Sequence, residues 1–275
     1  MSSKSPCENG KVTGVALSTG EEIEAKIVVS GMDVKNTFLR VHGQVGPPRS
    51  FPPPREQLQD PRLVRQAEYR AGRDADVPGI AQGQSRCVNG FMHFTDTMER
   101  MERAYDDWKE GTWSKDPYVD MMIPTVTDPT MAPPGKHFMS CFVQYCPPKW
   151  NGRDWTDEER DQFGQTVIDQ IAKFSPDFKD LILHVEVRTP REIENEAGLT
   201  EGNIFHGELT MDQLLFNRPV PGYAQYRGPV GGLYMCGSST HPGGGVMSAP
   251  GANAAREILR DLKRPSTVPE NFGDD

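Results

Sequence analysis

The chain has 275 residues, with 30 Lys and Arg against 39 Asp and Glu, and a net charge of −9. This length is sufficient for one large domain, or for two smaller domains with a proper hydrophobic core. The acidic excess argues against a nucleic-acid-binding protein, which needs a basic surface to neutralise phosphates. No apolar run approaches the roughly 20 residues of a membrane span.

The opening residues and the cysteines bear on the cellular compartment. The cysteine and histidine spacings bear on metal binding. The opening MSSKSPCENG lacks the apolar segment of a signal peptide. The five cysteines form no CxxC pair, and the six histidines show neither HxH nor HExxH spacing. We therefore predict a cytoplasmic protein with simple thiols and without a metal site.

The first part of the chain predicts two strands and a short helix. The strands at 11–17 and 22–30 are rich in β-branched residues and are joined by a Ser-Thr-Gly turn. Asp33 is predicted to cap a helix that runs through Leu39. The proline-rich stretch 46–54 is predicted as a domain boundary, since proline does not fit inside helices or central strands.

The middle of the chain predicts strands alternating with helices. A weak helix is expected at 55–70, and strands are expected at 88–95, 118–123, 137–145 and 181–189. Met98, Met101 and Tyr105 share one face of a predicted helix at 96–110. This order favours an α/β or α+β fold.

A second helix in this section has a clearer beginning. Thr156 and Glu159 have the spacing of a capping box, and an apolar stripe runs from Phe163 to Phe174. With the strands, it predicts a mixed, mostly antiparallel sheet flanked by helices.

A glycine-rich loop stands out near the end of the chain. A short apolar strand at 231–237 leads into SSTHPGGGVMSAPG (238–251), and an Ala-rich helix is predicted at 252–262. Free backbone N–H groups and a helix N-terminus in such a place attract phosphate or another anionic oxygen. Ser248 stands where a dinucleotide fingerprint has its third glycine. Two interpretations stay open: the loop cradles part of a cofactor, or its glycines let helix and strand pack closely.

His241 is the candidate for a catalytic role in this loop, because an imidazole exchanges protons near pH 7. The alternative is a solvated loop histidine. A Ser-His-Asp hydrolase is not supported, because the sequence contains no GxSxG motif. The other catalytic residues are left unassigned.

Residues 232–255, GLYMCGSSTHPGGGVMSAPGANAA, are similar to the C-terminal signature of the phytoene desaturase-like flavoprotein oxidoreductases. The similarity continues in DPTMAPPGKHFMSCFVQYCP (128–147), GLTEGNIFHGELTMDQLLFNRP (198–219) and YRGPVGGLY (226–234). The opening GKVTGVALSTGEEIEAKIVVSGMD resembles the hairpin and strand that close the family's flavin domain. The resemblance therefore spans nearly the whole chain.

The resemblance implies FAD as cofactor, with the loop beside its pyrophosphate and isoalloxazine. The implied contacts are Gly237, Ser238, His241, Gly243, Gly244, Gly245, Val246 and Asn253. Ser238 stands where many related flavoproteins carry an Asp, which removes the usual carboxylate contact. The family's first βαβ unit, with its GxGxxG fingerprint, has no counterpart before Lys11. We therefore expect this chain alone to bind FAD weakly or not at all.

The resemblance also implies a domain organisation. Residues 1–45 and 228–265 would form a partial FAD-binding domain that lacks the N-terminal βαβ unit, 46–227 a substrate-binding domain, and 266–275 a tail. The implied function is that of the C-terminal, substrate-binding part of an FAD-dependent oxidoreductase. Its substrate would be an apolar small molecule, with isoprenoids among the candidates. The alternative is a stand-alone, non-catalytic binding or oligomerisation module.

The expected partners are a second copy of the chain, or a chain that supplies the N-terminal FAD-binding half. Eight apolar residues are candidates for lining a substrate pocket, with plain core packing as the alternative for each. They are Phe91, Phe94, Met98, Met121, Met122, Phe138, Phe142 and Phe205.

Overall fold

The computed structural model describes residues 7–41, 67–71, 90–95, 97–245 and 247–263, with the backbone alone at 39–41 and 67–71. The chain divides into two compact units, Met1–Asp60 with Ile204–Asp275, and Pro61–Asn203. The predicted proline-rich boundary at 46–54 lies outside the described residues.

The second division, between 203 and 204, differs from the boundary predicted at 227/228. Residues 204–227 belong to the first unit because their side chains bond to the glycine loop. The Arg218 guanidinium donates to the Ser238 carbonyl, and the Tyr226 hydroxyl donates to the His241 carbonyl.

Eleven strands and five α-helices are numbered here in chain order along the described residues. The strands are β1 (Cys7–Glu8), β2 (Lys11–Val12), β3 (Gly14–Ala16), β4 (Glu22–Glu24), β5 (Val28–Ser30), β6 (Ala67–Ala71), β7 (Met92–His93), β8 (Tyr118–Met122), β9 (His137–Gln144), β10 (Ile182–Val187) and β11 (Leu233–Met235). The helices are α1 (Met98–Lys109), α2 (Asp157–Ala172), α3 (Phe178–Leu181), α4 (Pro190–Ala197) and α5 (Ala249–Lys263).

The first unit combines two short hairpins with a parallel strand pair. β1 pairs with β2 and β3 with β4, both antiparallel, and the predicted turn joins the second hairpin. β5 and β11 are parallel, with Val28 opposite Leu233 and Ser30 opposite Met235. The strand predicted at 22–30 is therefore two strands, because β4 pairs back onto β3 while β5 pairs with β11.

A short π-helical segment, Asn36–Val41, follows β5. Asp33 caps it as predicted, since its Oδ1 accepts a hydrogen bond of 2.8 Å from the Asn36 N–H. Val12, Val34, Phe38 and Leu233 belong to the core of this unit.

The second unit is built on a five-stranded sheet with the order β10-β6-β9-β8-β7, antiparallel at every neighbouring pair. Alternate residues of β8 and β9 are buried, and they share one core with the apolar stripe of α2. Gly164 lets α2 approach the sheet closely, because an added Cβ would lie 2.6 Å from Cγ2 of Val187. All four tryptophans of the chain, Trp108, Trp113, Trp150 and Trp155, lie in this unit.

The structure confirms the mixed α and β fold with a mostly antiparallel sheet and flanking helices. The capping box of Thr156 and Glu159 is present at the start of α2. One local prediction was wrong. Residues 67–71 form a strand that fills the gap between β9 and β10, so the weak helix expected at 55–70 is absent over 67–70. The helix predicted at 96–110 is α1, whose Met98 and Met101 are 78% and 38% exposed.

None of the helices in the described ranges combines the length and the apolar character needed to cross a membrane.

Candidate functional site

The parallel pair β5–β11 defines the candidate site, because the carboxyl ends of both strands lie side by side. Ser30 and Met235 are register partners, and each strand runs into a loop followed by a helical segment. In open α/β sheets, ligands bind in the crevice outside the carboxyl ends of parallel strands. The glycine-rich loop after β11 lies at this edge.

Three glycines at this edge lie close to other parts of the protein. A Cβ on Gly237 would lie 2.5 Å from the carbonyl oxygen of Gly31, where the two loops cross. A Cβ on Gly244 would lie 2.1 Å from Cδ1 of Phe205, and one on Gly243 would lie 3.0 Å from Leu209. The close-packing interpretation of the loop therefore accounts for these three positions.

Other groups of the loop face no protein partner. The N–H groups of Thr240 and Gly243 donate within the loop, to Gly237 and Thr240. Those of Ser238, Gly244 and Gly245 have no acceptor among the described residues. Such unpaired N–H groups suit an anionic or oxygen-rich ligand, so the cofactor interpretation keeps physical support at these positions.

Arg218 anchors the glycine-rich loop, a role that was not predicted from the sequence. Its side chain is only 1% exposed. The guanidinium donates to four backbone carbonyls, those of Ser238, Glu208, Gln213 and Phe205, over 2.6 to 3.3 Å. This arrangement ties the loop to residues 205–213 and places a buried positive charge beneath it.

Two histidines at the site carry buried ring nitrogens. Nδ1 of His206 and Nδ1 of His241 are both inaccessible to solvent, and neither has a hydrogen-bond partner among the described residues. Burial lowers the pKa of His206, the Asp33 carboxylate opposes this shift, and Arg218 adds to it. His206 therefore favours the neutral imidazole at pH 7.

The other predicted cofactor residues have mixed positions. The Asn253 amide donates to the Tyr226 hydroxyl over 2.8 Å, and its carbonyl oxygen accepts from Arg256. Asn253 is thus occupied by protein contacts. Val246 lies outside the described residues. Ser238, His241, Gly244 and Gly245 are the predicted residues with polar groups that have no partner among the described residues.

An ion-pair cluster holds α5 against β11 and so positions the helix that follows the loop. Arg227 donates to the Asp261 carboxylate over 2.7 Å and to Glu257 over 2.7 Å. The Tyr234 hydroxyl on β11 donates to the same oxygen, Asp261 Oδ2, over 2.9 Å. The Arg227 guanidinium holds the pKa of Glu257 below its usual range.

Stability of the first unit is expected to fall as the pH rises from 10 to 12. Burial, followed by the hydrogen bond to Asp261, raises the pKa of Tyr234 to about 12. Because the folded pKa lies above the unfolded value of about 10, the contribution of this tyrosine is complete below pH 10 and lost as the pH approaches 12. Ultraviolet titration of tyrosinate should show one late-titrating group fewer in Tyr234→Phe. An unchanged titration curve for that variant would contradict the assignment.

The second unit offers a different surface, the face of the sheet that α2 does not cover. Met122, Phe138 and Phe142 are half-buried there, beside the Asp120 carboxylate, which contacts His93. Phe94 and Met121, also pocket candidates, are instead buried in the core. Phe91 and Met98 are exposed, and Phe205 lies in the first unit against Gly244.

The residues of the glycine-loop site fit part of a dinucleotide. The fit rests on the unpaired N–H groups, the buried Arg218 charge and the two buried imidazole nitrogens at the carboxyl ends of β5 and β11. Among the described residues, no three His, Cys, Asp or Glu side chains are grouped as a metal ion would require.

Comparison with known proteins shows which proteins the chain is similar to. Pyridine nucleotide-disulfide oxidoreductase domain-containing protein 2 of Mus musculus is 38% identical over 262 residues, which are 92% of this chain and 45% of that protein. Phytoene desaturase of Rhodobacter capsulatus is 27% identical over 94% of this chain and 48% of its own length. A 4,4'-diapophytoene desaturase of Staphylococcus aureus is 29% identical over 163 residues, 56% of this chain and 31% of that protein.

The chain thus spans about half the length of the curated relatives it matches across most of its residues. No family model matches the chain. A solved oxidoreductase from Methanosarcina mazei aligns with a TM-score of 0.48 and 14% identity, over 94% of this chain and 48% of that one. The similarity predicted from the glycine-rich signature is confirmed by the curated relatives: the chain resembles the phytoene desaturase-like FAD-dependent oxidoreductases, and among them pyridine nucleotide-disulfide oxidoreductase domain-containing protein 2.

Proposed function

We propose that this chain is the C-terminal, substrate-binding part of an FAD-dependent oxidoreductase that acts on an apolar small molecule. Isoprenoid compounds are among the candidate substrates. When bound, FAD supplies the hydride chemistry, while the protein supplies binding and orientation. The observation that carries the proposal is the loop after β11, whose unpaired N–H groups and buried cation lie at the carboxyl ends of two parallel strands.

In this proposal the first unit is a partial FAD-binding domain. Ser238, His241 and Gly245 contact the dinucleotide, and Arg218 holds the loop in place and favours negative charge near it. The 275 residues contain no GxGxxG fingerprint. We therefore propose that residues outside this sequence, in another chain or in a longer form of this one, bind the ADP half of FAD.

The substrate part of the proposal concerns the second unit. The sheet face with Met122, Phe138 and Phe142 combines half-buried apolar side chains with polar ones. The polar side chains on this face are Asp120, which contacts His93, and Tyr118, Ser140 and Gln144. Small-molecule sites are mostly apolar with few polar groups. An apolar substrate would bind on this face.

The isolated chain is expected to bind FAD weakly and saturably. Without the hydrogen bonds to the ADP half, each worth roughly 1–3 kcal/mol, the Kd should exceed about 100 μM. Quenching of FAD fluorescence on titration with the chain measures it. Gly245→Ala should weaken binding further, because Gly245 has a φ of +112° and its N–H has no acceptor among the described residues.

Gly222→Ala is the matched control for that experiment. Gly222 also has a positive φ, of +89°, but an added Cβ there meets no atom within 4 Å. It should leave FAD binding unchanged. Stoichiometric flavin in the purified chain would contradict the assignment of the ADP half to other residues. Absence of any quenching at millimolar FAD would contradict the FAD-binding role itself.

A stand-alone oligomerisation module is the second candidate function, and one surface favours it. Met211, Leu215 and Phe216 of the first unit are 83%, 56% and 73% exposed. Adjacent exposed apolar side chains commonly mark protein–protein contacts.

Self-association through this surface predicts a homodimer or larger oligomer at tens of micromolar protein. Light scattering should then show a lower mass for Met211→Ser/Phe216→Ser than for the wild-type chain. Leu183→Ser is the control, since Leu183 is 54% exposed but lies in the second unit. A wild-type chain that is monomeric throughout this range would exclude the oligomerisation module.

A further inference from the structure

His206 occupies a fixed position between three segments of the glycine-loop site. Its carbonyl accepts a hydrogen bond of 3.1 Å from the Ser239 hydroxyl. The same hydroxyl accepts one of 3.1 Å from the Val34 N–H, at the start of the helical segment after β5. The preceding residue, Phe205, packs on Gly244, and its carbonyl accepts a hydrogen bond from Arg218. His206 therefore lies where the β5 end, the 204–218 segment and the glycine loop meet.

Two features of His206 are unfavourable for stability. Its φ is +58°, the left-handed region that a residue with a Cβ rarely adopts. Its Nδ1 is buried and has no partner among the described residues, whereas buried polar atoms in native proteins are normally hydrogen-bonded. Strained backbone and unsatisfied polar groups concentrate at binding and catalytic sites.

The charges around His206 define what it can bind. Asp33, which is 4% exposed, acts on it from the β5 side, and the buried Arg218 acts from its own segment. A neutral imidazole has one N–H donor and one acceptor nitrogen, so Nδ1 can serve either role. The unpaired N–H groups of the loop and the Arg218 charge favour a ligand with negative or electron-rich oxygens close by.

We infer that His206 is a ligand-contacting residue of the glycine-loop site, whose Nδ1 forms a hydrogen bond with a polar atom of the bound dinucleotide. This inference rests on the proposed function and adds a residue that the sequence signature did not indicate. In the complex, the hydrogen bond to the ligand satisfies Nδ1 and offsets the free-energy cost of the left-handed backbone at His206.

Nuclear magnetic resonance of the imidazole nitrogens in the full chain tests the inference, because it detects weak binding as well. On addition of millimolar FAD, Nδ1 of His206 should shift, while the exposed His184 of the second unit should not. Parallel titration with ADP distinguishes the ligand parts. A His206 shift with ADP as well assigns the contact to the diphosphate side, and a shift with FAD alone assigns it to the flavin side.

Two substitutions give a second readout. His206→Leu should raise the Kd for FAD about five- to tenfold, the equivalent of one neutral hydrogen bond. His206→Asn should bind within about twofold of wild type, since asparagine tolerates a positive φ and places a polar atom near the position of Nδ1. Amide spectra of both variants establish that the fold is kept, and His184→Leu is the control.

Failure of this inference and failure of the proposed function give different results. If the amides of Ser238 and Gly245 respond to FAD while His206 does not, or if both variants bind like wild type, the inference is overturned and the proposed function stands. If neither the loop amides nor His206 responds at millimolar FAD, the proposed function fails and the inference fails with it.

Discussion

Replacing Arg218 by methionine is expected to destabilise the first unit by about 3–5 kcal/mol. The substitution keeps most of the side-chain volume but leaves four backbone carbonyls without their donor. Because the Arg218 side chain is only 1% exposed, water cannot reach all four carbonyls to replace the lost hydrogen bonds. Arg218→Lys should fall between wild type and methionine, because an ammonium has three donors in a different geometry.

Hydrogen exchange of the β11 amides measures this loss within the first unit. Tryptophan fluorescence during urea unfolding reports the second unit separately, since all four tryptophans lie there. Arg260→Met on α5 is the control: its side chain is 65% exposed, and the change should be less than about 0.5 kcal/mol. Unaltered β11 protection in Arg218→Met would refute the anchoring role.

Replacing Gly237 by alanine is expected to destabilise the same unit by about 2–3 kcal/mol. The new Cβ would lie 2.5 Å from the carbonyl oxygen and 3.1 Å from the carbonyl carbon of Gly31. Both neighbours are backbone, so relief requires the ends of β5 and β11 to separate. FAD affinity should fall together with stability, because the site is built where these strands end.

Gly251→Ala is the matched control for Gly237→Ala. Gly251 lies in the first turn of α5, and an added Cβ there meets no atom within 4 Å. Since alanine is the better helix former by up to about 1 kcal/mol, this variant should be neutral or slightly more stable. Equal stability of Gly237→Ala and Gly251→Ala in thermal unfolding would disprove the close crossing at Gly237.

The parts of the fold that depend on neighbouring residues were predictable from the sequence. Asp33 and Thr156 cap helices because the backbone N–H groups from which their side chains accept lie only three residues later, and the apolar stripe from Phe163 is a property of one helix. The division of 22–30 into β4 and β5 was missed, because each part pairs with a different, separate strand. The strand at 67–71 was missed for the same reason: its neighbours β9 and β10 come more than 60 residues later.

The candidate site was predictable only in outline. The glycine content of 243–245 marked the loop, yet composition does not show that Gly243 and Gly244 are packed against Leu209 and Phe205. Arg218 carried no sequence signal, since its partners are backbone carbonyls of residues that only folding brings together. Asn253 was assigned to the cofactor through the family signature, while in the structure its amide is bonded to Tyr226.

The parallel pairing of β5 with β11 has a consequence for the synthesis of the chain. The contact between Val34 and Ser239 at this site joins residues that are 205 positions apart. At translation rates of about 5–20 residues per second, β5 leaves the ribosome roughly 10 to 40 seconds before its partner exists. Throughout this time Val28 and Val29 form an unpaired, β-branched strand edge, the kind of segment that pairs with other chains. The nascent protein is therefore most exposed to aggregation while the sheet of Pro61–Asn203 is being made.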